Sequence, residues 1–144
     1  MGLFSGQRPG NLGAREGRLA ACPDKPNCVS SHAESKDAGH HIAPLAISGA
    51  AALAWPALLA VVRECERCAI IDEKPGYLHA EFTSQIMGYV DDVEFLLDDK
   101  ALLIQVRSAS RLGTSDFGVN RKRVEAIRAA WASRLARSDP AKGG

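Results

Sequence analysis

Four strand-like runs follow one another between Cys68 and Ser108, and the connections between them are too short to hold a helix. Tyr77–Ser84 alternates, with Leu78, Ala80 and Phe82 on one side and Tyr77, His79, Glu81 and Thr83 on the other. Tyr89–Leu97 sets Val93, Phe95 and Leu97 opposite Asp92 and Glu94, and Leu102–Ser108 sets Leu102, Ile104 and Val106 opposite Gln105 and Arg107. Cys68–Asp72 is short and β-branched and precedes them across a Lys74-Pro75-Gly76 turn, while Asp98-Asp99-Lys100 makes the last tight connection. Strands this close in sequence pair as an antiparallel meander with one apolar and one polar face.

The flanking segments have the period of helices. Trp55, Leu58, Leu59 and Val62 fall on one face of a helix expected over Leu53–Glu64, with Pro56 tolerated in a first turn and disruptive later. Val124, Ile127, Trp131 and Leu135 form the stripe of a last helix over Val119–Ala136. Trp55 and Trp131 lie on these stripes and read as core residues. The expected fold is therefore α+β, a four-stranded antiparallel meander flanked in sequence by two helices packed on one face, with an N-terminal Cys/Pro loop. Residues 1–20, rich in Gly and Arg, read as a flexible lead-in, residues 21–137 as one domain and residues 138–144 as a flexible tail.

With 144 residues the chain can bury a core of its own, and its net charge of +1 gives no global pull toward nucleic acid or an anionic membrane. No apolar run approaches the roughly 18 residues a membrane span needs. Met1–Ala20 has no continuous apolar stretch of the signal-peptide kind, and Gly6 breaks the myristoylation pattern that Met1-Gly2 would begin. A cytoplasmic protein is the expectation, with no nucleic-acid or membrane partner and no cofactor.

Local chemistry concentrates in the run Arg107–Arg123, which leaves the last strand and enters the last helix. Exposed N–H groups and the helix dipole favour anions at a helix start, yet Arg121, Lys122 and Arg123 add positive charge there, so something negative is required nearby. One reading has Arg107, Arg111, Asn120 and Arg121 converge with the hydroxyls of Ser108, Ser110, Thr114 and Ser115 on the carboxylate or phosphate of a small molecule or partner. The plainer reading has Asp116 cap the helix while an arginine pairs with Asp91 or Asp92.

The polar sheet face offers a second site, in which His79 or Glu81 acts as acid–base group and Arg107 stabilises charge. Its plainer alternative is a solvated face with weak cross-strand ion pairs. Cys22 and Cys28 bracket a loop stiffened by Pro23 and Pro26; they suit a disulfide or packed free thiols, with a zinc site shared with Cys65 and Cys68 ranked behind. The Cys22–Ser31 loop could also serve as a protein-assembly surface if an apolar patch around Val29 and Leu45 is exposed.

Cys22-Pro-Asp-Lys-Pro-Asn-Cys-Val-Ser-Ser31, Tyr77-Leu-His-Ala-Glu81, Val90-Asp-Asp-Val-Glu-Phe95 and the run from Arg107 to Arg121 resemble, in this order, the bacterial and plastid proteins grouped as domain of unknown function 1499 (DUF1499). The resemblance spans roughly residues 20–130. That family has no established activity, so the resemblance brings no catalytic residue with it. Some of its members look exported or lumenal. Cys65 and Cys68 are not part of its pattern.

Overall fold

The computed structural model describes residues 5–138. Of the tail expected over residues 138–144, Ser138 ends the last helix and residues 139–144 lie outside that range, as do residues 1–4 of the lead-in. The elements run β1 (Cys28–Ser30), β2 (Leu45–Ala46), α1 (Ala51–Glu64), β3 (Cys68–Lys74), β4 (Tyr77–Thr83), β5 (Val90–Asp98), β6 (Leu103–Ser110) and α2 (Val119–Ser138). The sheet order is β1-β6-β5-β4-β3, and β2 also pairs with β6. All of these pairings are antiparallel.

The meander β3–β6 follows from the alternation and the short turns. At the β3–β4 turn Gly76 has φ +74°, and its carbonyl accepts a 2.8 Å hydrogen bond from the Leu97 amide, which ties this hairpin to β5. At the β5–β6 turn Asp98 Oδ1 accepts from the Ala101 amide at 3.1 Å. Leu78, Ala80 and Phe82 of β4, Val93 and Phe95 of β5, and Ile104 and Val106 of β6 supply one apolar face. Ala54, Leu58 and Val62 of α1 and Val124, Ile127 and Trp131 of α2 cover that face. Trp131 also donates its indole N–H to the Ala54 carbonyl at 2.9 Å, fixing α2 against α1. Trp55, Leu59 and Leu135 are only partly buried at the margin of this core.

Two details differ from the sequence expectation. The sheet has six strands, not four. The additional strands span three and two residues, too short to show an alternating pattern. Each gains regularity by pairing with β6, Val29 opposite Ser108 and Leu45 opposite Ile104. Secondly, α1 begins at Ala51 and runs on past Pro56, which lies beyond the first turn. Pro56 has no N–H to give the Ala52 carbonyl, so the helix forgoes one bond and continues, because Leu58 and Val62 remain anchored in the core.

Residues 5–21 cross the other face of the sheet. Arg8 pairs with Glu81, the Gly13 amide donates to Glu94, and Ala21 accepts from Arg107. Leu19 is 4% exposed. Its amide donates to His32 Nδ1 at 3.2 Å. The low apolar content of this segment gave no sign of these contacts, and they form the roof of the candidate site.

Phe95 lies in the central strand with no solvent exposure, at the middle of the helix-covered face. Phe95→Ala is expected to lower unfolding stability by about 3–5 kcal/mol, read from the urea midpoint at unchanged slope.

Candidate functional site

Alternation in β4 and β5, continued through β6, sends Tyr77, His79, Glu81, Asp92, Glu94 and Arg107 to the face opposite the helices, and Arg111 joins them just past β6. Register places Glu81 opposite Asp92, His79 opposite Glu94, and Glu94 opposite Arg107. These side chains are not solvated, as the plainer reading of this face had them. His79, Asp92, Glu94 and Arg107 are all buried, because residues 5–21 lie over them.

The cluster has two halves. In one, Arg111 bonds Asp92 through both oxygens, Nε to Oδ2 at 2.8 Å and Nη2 to Oδ1 at 2.9 Å, and reaches Glu81 as well. His79 Nε2 lies 2.8 Å from Asp92 Oδ1, an imidazole N–H donating to the carboxylate, and Arg8 bonds Glu81 from the roof at 2.8 Å. In the other half, Glu94 Oε2 accepts from the Tyr77 hydroxyl at 2.5 Å and from the Gly13 amide at 2.7 Å. Glu94 Oε1 has no hydrogen-bond partner among the described residues. Neither has Arg107 Nε, and the Arg107 Nη1–Glu94 Oε1 separation is 3.8 Å.

The proton affinities reflect this division. Burial alone would push the Glu81 and Asp92 carboxyls up, but the bonds from Arg8 and Arg111 to Glu81, and from Arg111 and His79 to Asp92, hold both below their ordinary values. Arg111 is held well above the usual guanidinium value by its bonds to Asp92, and less by Glu81. Arg107 moves the other way, lowered by burial against the partial opposition of Glu94. Tyr77 is pushed far up by burial and by its bond to Glu94, so it stays a neutral donor. His79, Glu81 and Asp92 each place a ligand atom within 4.8 Å of the others, a spacing a metal ion could use. The Arg111 guanidinium already supplies the positive charge between the two carboxylates.

The strand-to-helix run does not converge on one point. Arg107 and Arg111 face the covered side of the sheet, whereas Ser108, Ser110 and Asn120 lie on the helix side. There Asn120 is fully buried and bonded all round. Its amide N–H₂ donates to Asp116 at 2.7 Å, Ser110 Oγ at 2.9 Å and the Asn27 carbonyl at 3.2 Å. Its carbonyl accepts from Ser108 Oγ at 2.6 Å and Arg123 at 2.9 Å. Asp116 accepts from the Gly118 and Asn120 amides, which cap α2. Arg123, which the sequence reading did not select, pairs with Asp91 at 2.8 Å and lies over the Phe82 ring. The negative groups that the basic helix start requires are therefore Asp116 and Asp91. Arg121 bonds the Ala38 carbonyl at the surface at 3.1 Å, and exposed Ser115 accepts from the Phe117 amide.

Two further features lie outside the covered face. Cys22 and Cys28 are joined as a disulfide, so their sulfurs are not available beside Cys65 and Cys68 as four thiolate ligands for zinc. Cys65 and Cys68 pack against the core, where burial pushes the Cys68 thiol up to about 11. Val29 and Leu45, the residues a Cys22–Ser31 assembly surface would have exposed, are buried. Exposed apolar side chains occur instead around a cleft of about 290 Å³ between the 84–89 and 112–119 loops, walled by Tyr89, Leu112, Phe117 and Val119 over Asp91 and Arg123. Phe117 is 89% exposed and holds a left-handed φ of +52°, imposed by the Asp116 turn.

The lowered carboxyls fix the sign of the acid response. The stabilisation from Glu81 and Asp92 is complete above their ordinary values of 4.5 and 3.8 and is lost as pH falls through the lowered folded values. Asp92→Asn is expected to cost about 3–5 kcal/mol at pH 7, by leaving Arg111 half-paired, and to flatten the fall in stability between pH 5 and pH 2; urea denaturation across this range reads both effects.

Comparison with curated proteins and with solved structures finds no match. No helix among the described residues is long and apolar enough to cross a membrane. The family model described as a protein of unknown function, DUF1499, matches residues 18–131, which include the whole sheet with its charged side chains and the disulfide, but not Arg8 and Gly13 of the roof. The chain belongs to that family.

Proposed function

We propose that this domain binds a small anionic ligand on the covered face of the sheet, with the ligand's carboxylate or phosphate taken by Arg107. One observation carries the reading: Arg107 is a buried guanidinium whose Nε has no partner among the described residues, and whose Nη1 stands 3.8 Å from Glu94 Oε1. Arg111, on the same face, already has two carboxylates in direct contact, through Nε and Nη2. Buried polar atoms without partners are rare, and each calls for water, an ion or a ligand to complete it. The bare Glu94 Oε1 beside Arg107 adds a requirement. The preferred ligand carries a hydroxyl or ammonium donor next to its anionic group, so that it answers both atoms together. Of the residues first assembled from the sequence, Arg107 keeps the role of direct contact, while Ser108, Ser110, Ser115, Asn120 and Arg121 point elsewhere.

A second reading draws on the His79–Asp92 pair. A buried imidazole held by a carboxylate that is itself clamped by Arg111 is the arrangement of an oriented general base. In that case the anion site positions a substrate, and His79→Gln abolishes turnover without weakening anion binding.

Calorimetric titration with glycolate, acetate and inorganic phosphate tests the main reading. Glycolate is expected to bind more tightly than acetate, and Arg107→Lys, which keeps the charge but loses the planar fork, to weaken glycolate by about tenfold or more. Equal affinities for wild type and Arg107→Lys, or no binding of any of the three to either the disulfide-bonded or the dithiothreitol-reduced protein, would overturn it.

A further inference from the structure

A ligand reaches Arg107 only if residues 5–21 move. The noncovalent ties of this strap include Arg8 to Glu81, Gly13 to Glu94, Leu19 to His32, Arg18 to the His32 carbonyl, and Arg107 to Ala21. The Arg107–Ala21 bond is long, at 3.3 Å. Leu19 is the one buried apolar side chain of residues 5–21. At its C-terminal end, however, the strap is fastened covalently. Cys22 follows Ala21 directly and is bonded to Cys28 of β1, the strand whose Ser30 stands opposite Arg107. The disulfide thus fixes the end of the roof to the strand next to the site.

The bond can also be reached. Cys28 is 1% exposed, but Cys22 is half-buried and lines a cavity of about 230 Å³ together with Arg18, His32 and His40. Arg18 shares this opening with the Asp37–His40 pair, so an approaching thiolate meets the Arg18 cation while Asp37 is held by His40.

We propose that the Cys22–Cys28 disulfide is a redox latch on the ligand site, closed when oxidised and opened by a dithiol reductant. The inference rests on the reading of the Arg107 face as that site. A thiolate of the reductant attacks Cys22 Sγ; the S–S bond breaks, and Cys28 leaves as a thiolate that takes up a proton. The reductant's second thiol then displaces Cys22, so the dithiol ends as a disulfide and each cysteine carries one hydrogen. With the ring open, noncovalent contacts hold the strap over the face, and it exchanges with conformations that uncover Arg107 and Glu94.

Amide hydrogen exchange on the oxidised protein, on the protein reduced with dithiothreitol and on Cys22→Ser tests the latch, with glycolate titrated against each. Gly13 and Leu19 amides, which are bonded to Glu94 and His32, are expected to exchange at least about tenfold faster in the reduced and Cys22→Ser proteins, while α2 amides such as Val124 keep their rate. Glycolate is expected to associate faster with these two proteins. Unchanged Gly13 and Leu19 rates overturn the latch, and so does an equal acceleration of the α2 amides, since the disulfide then supports the whole fold and not the roof. Faster strap exchange with no glycolate binding in any form would instead overturn the Arg107 reading while leaving strap control intact, so the two fail separately.

Discussion

Three carboxylates on adjacent strands, Glu81, Asp92 and Glu94, lie under cover in a small domain, and the rest of the structure depends on how their charge is met. A buried charge without a partner costs several kcal/mol, so the face can be roofed only where cations stand beside the acids. Arg111 does this for Asp92 and Glu81, and Arg8 extends the arrangement into the roof. The strap is held largely by polar contacts. The roof and the acids beneath it are therefore one unit: the strap shields the acids from water, and the acids give the strap its bonds.

The two sides of β6 divide the basic run. Odd positions Arg107 and Arg111 go to the acids beneath the strap, and even positions Ser108 and Ser110 go to Asn120 at the start of α2. Asn120 in turn bonds the Asn27 carbonyl, and Asn27 gives its side-chain amide to the Gly113 carbonyl, so the loop that follows Cys22 is tied to the start of the last helix. One strand thus connects the roofed face, the disulfide loop and the helix layer. A change at Arg107 acts on the covered face, and one at Ser108 acts on helix docking, although the two are neighbours in sequence.

Much of this was legible in the residues. Alternation gave the meander, the face that Leu78, Val93 and Phe95 would bury, and the side on which His79, Glu81, Asp92, Glu94 and Arg107 would meet. The stripe through Val124, Ile127 and Trp131 gave α2. What was not legible depends on contacts distant in sequence. Cys28–Ser30 and Leu45–Ala46 are strands only because β6 has an edge to pair. Residues 5–21 carry no apolar period, and their place is set by single polar contacts such as Gly13 to Glu94, for which composition has no signature. The convergence expected of Arg107, Ser108, Asn120 and Arg121 ignored the same alternation that had been used to build the strand, since neighbours on a strand face opposite ways.

That alternation also separates the arginines by task. A cation placed for stability should be saturated, because an empty donor edge in a buried site wastes the desolvation already incurred. Arg111 and Arg123 have their charge met by carboxylates in direct contact, Asp92 and Glu81 for the first and Asp91 for the second. Arg107 does not, and its depressed proton affinity is the sign of a charge whose burial is incompletely offset. Glu94 is held through Oε2 by Tyr77 and Gly13, with its free Oε1 3.8 Å from Arg107 Nη1. The carboxylate that anchors the strap through Oε2 thus presents its other oxygen to Arg107, and a ligand that satisfied both atoms would complete the pair without taking Glu94 from Tyr77 or Gly13.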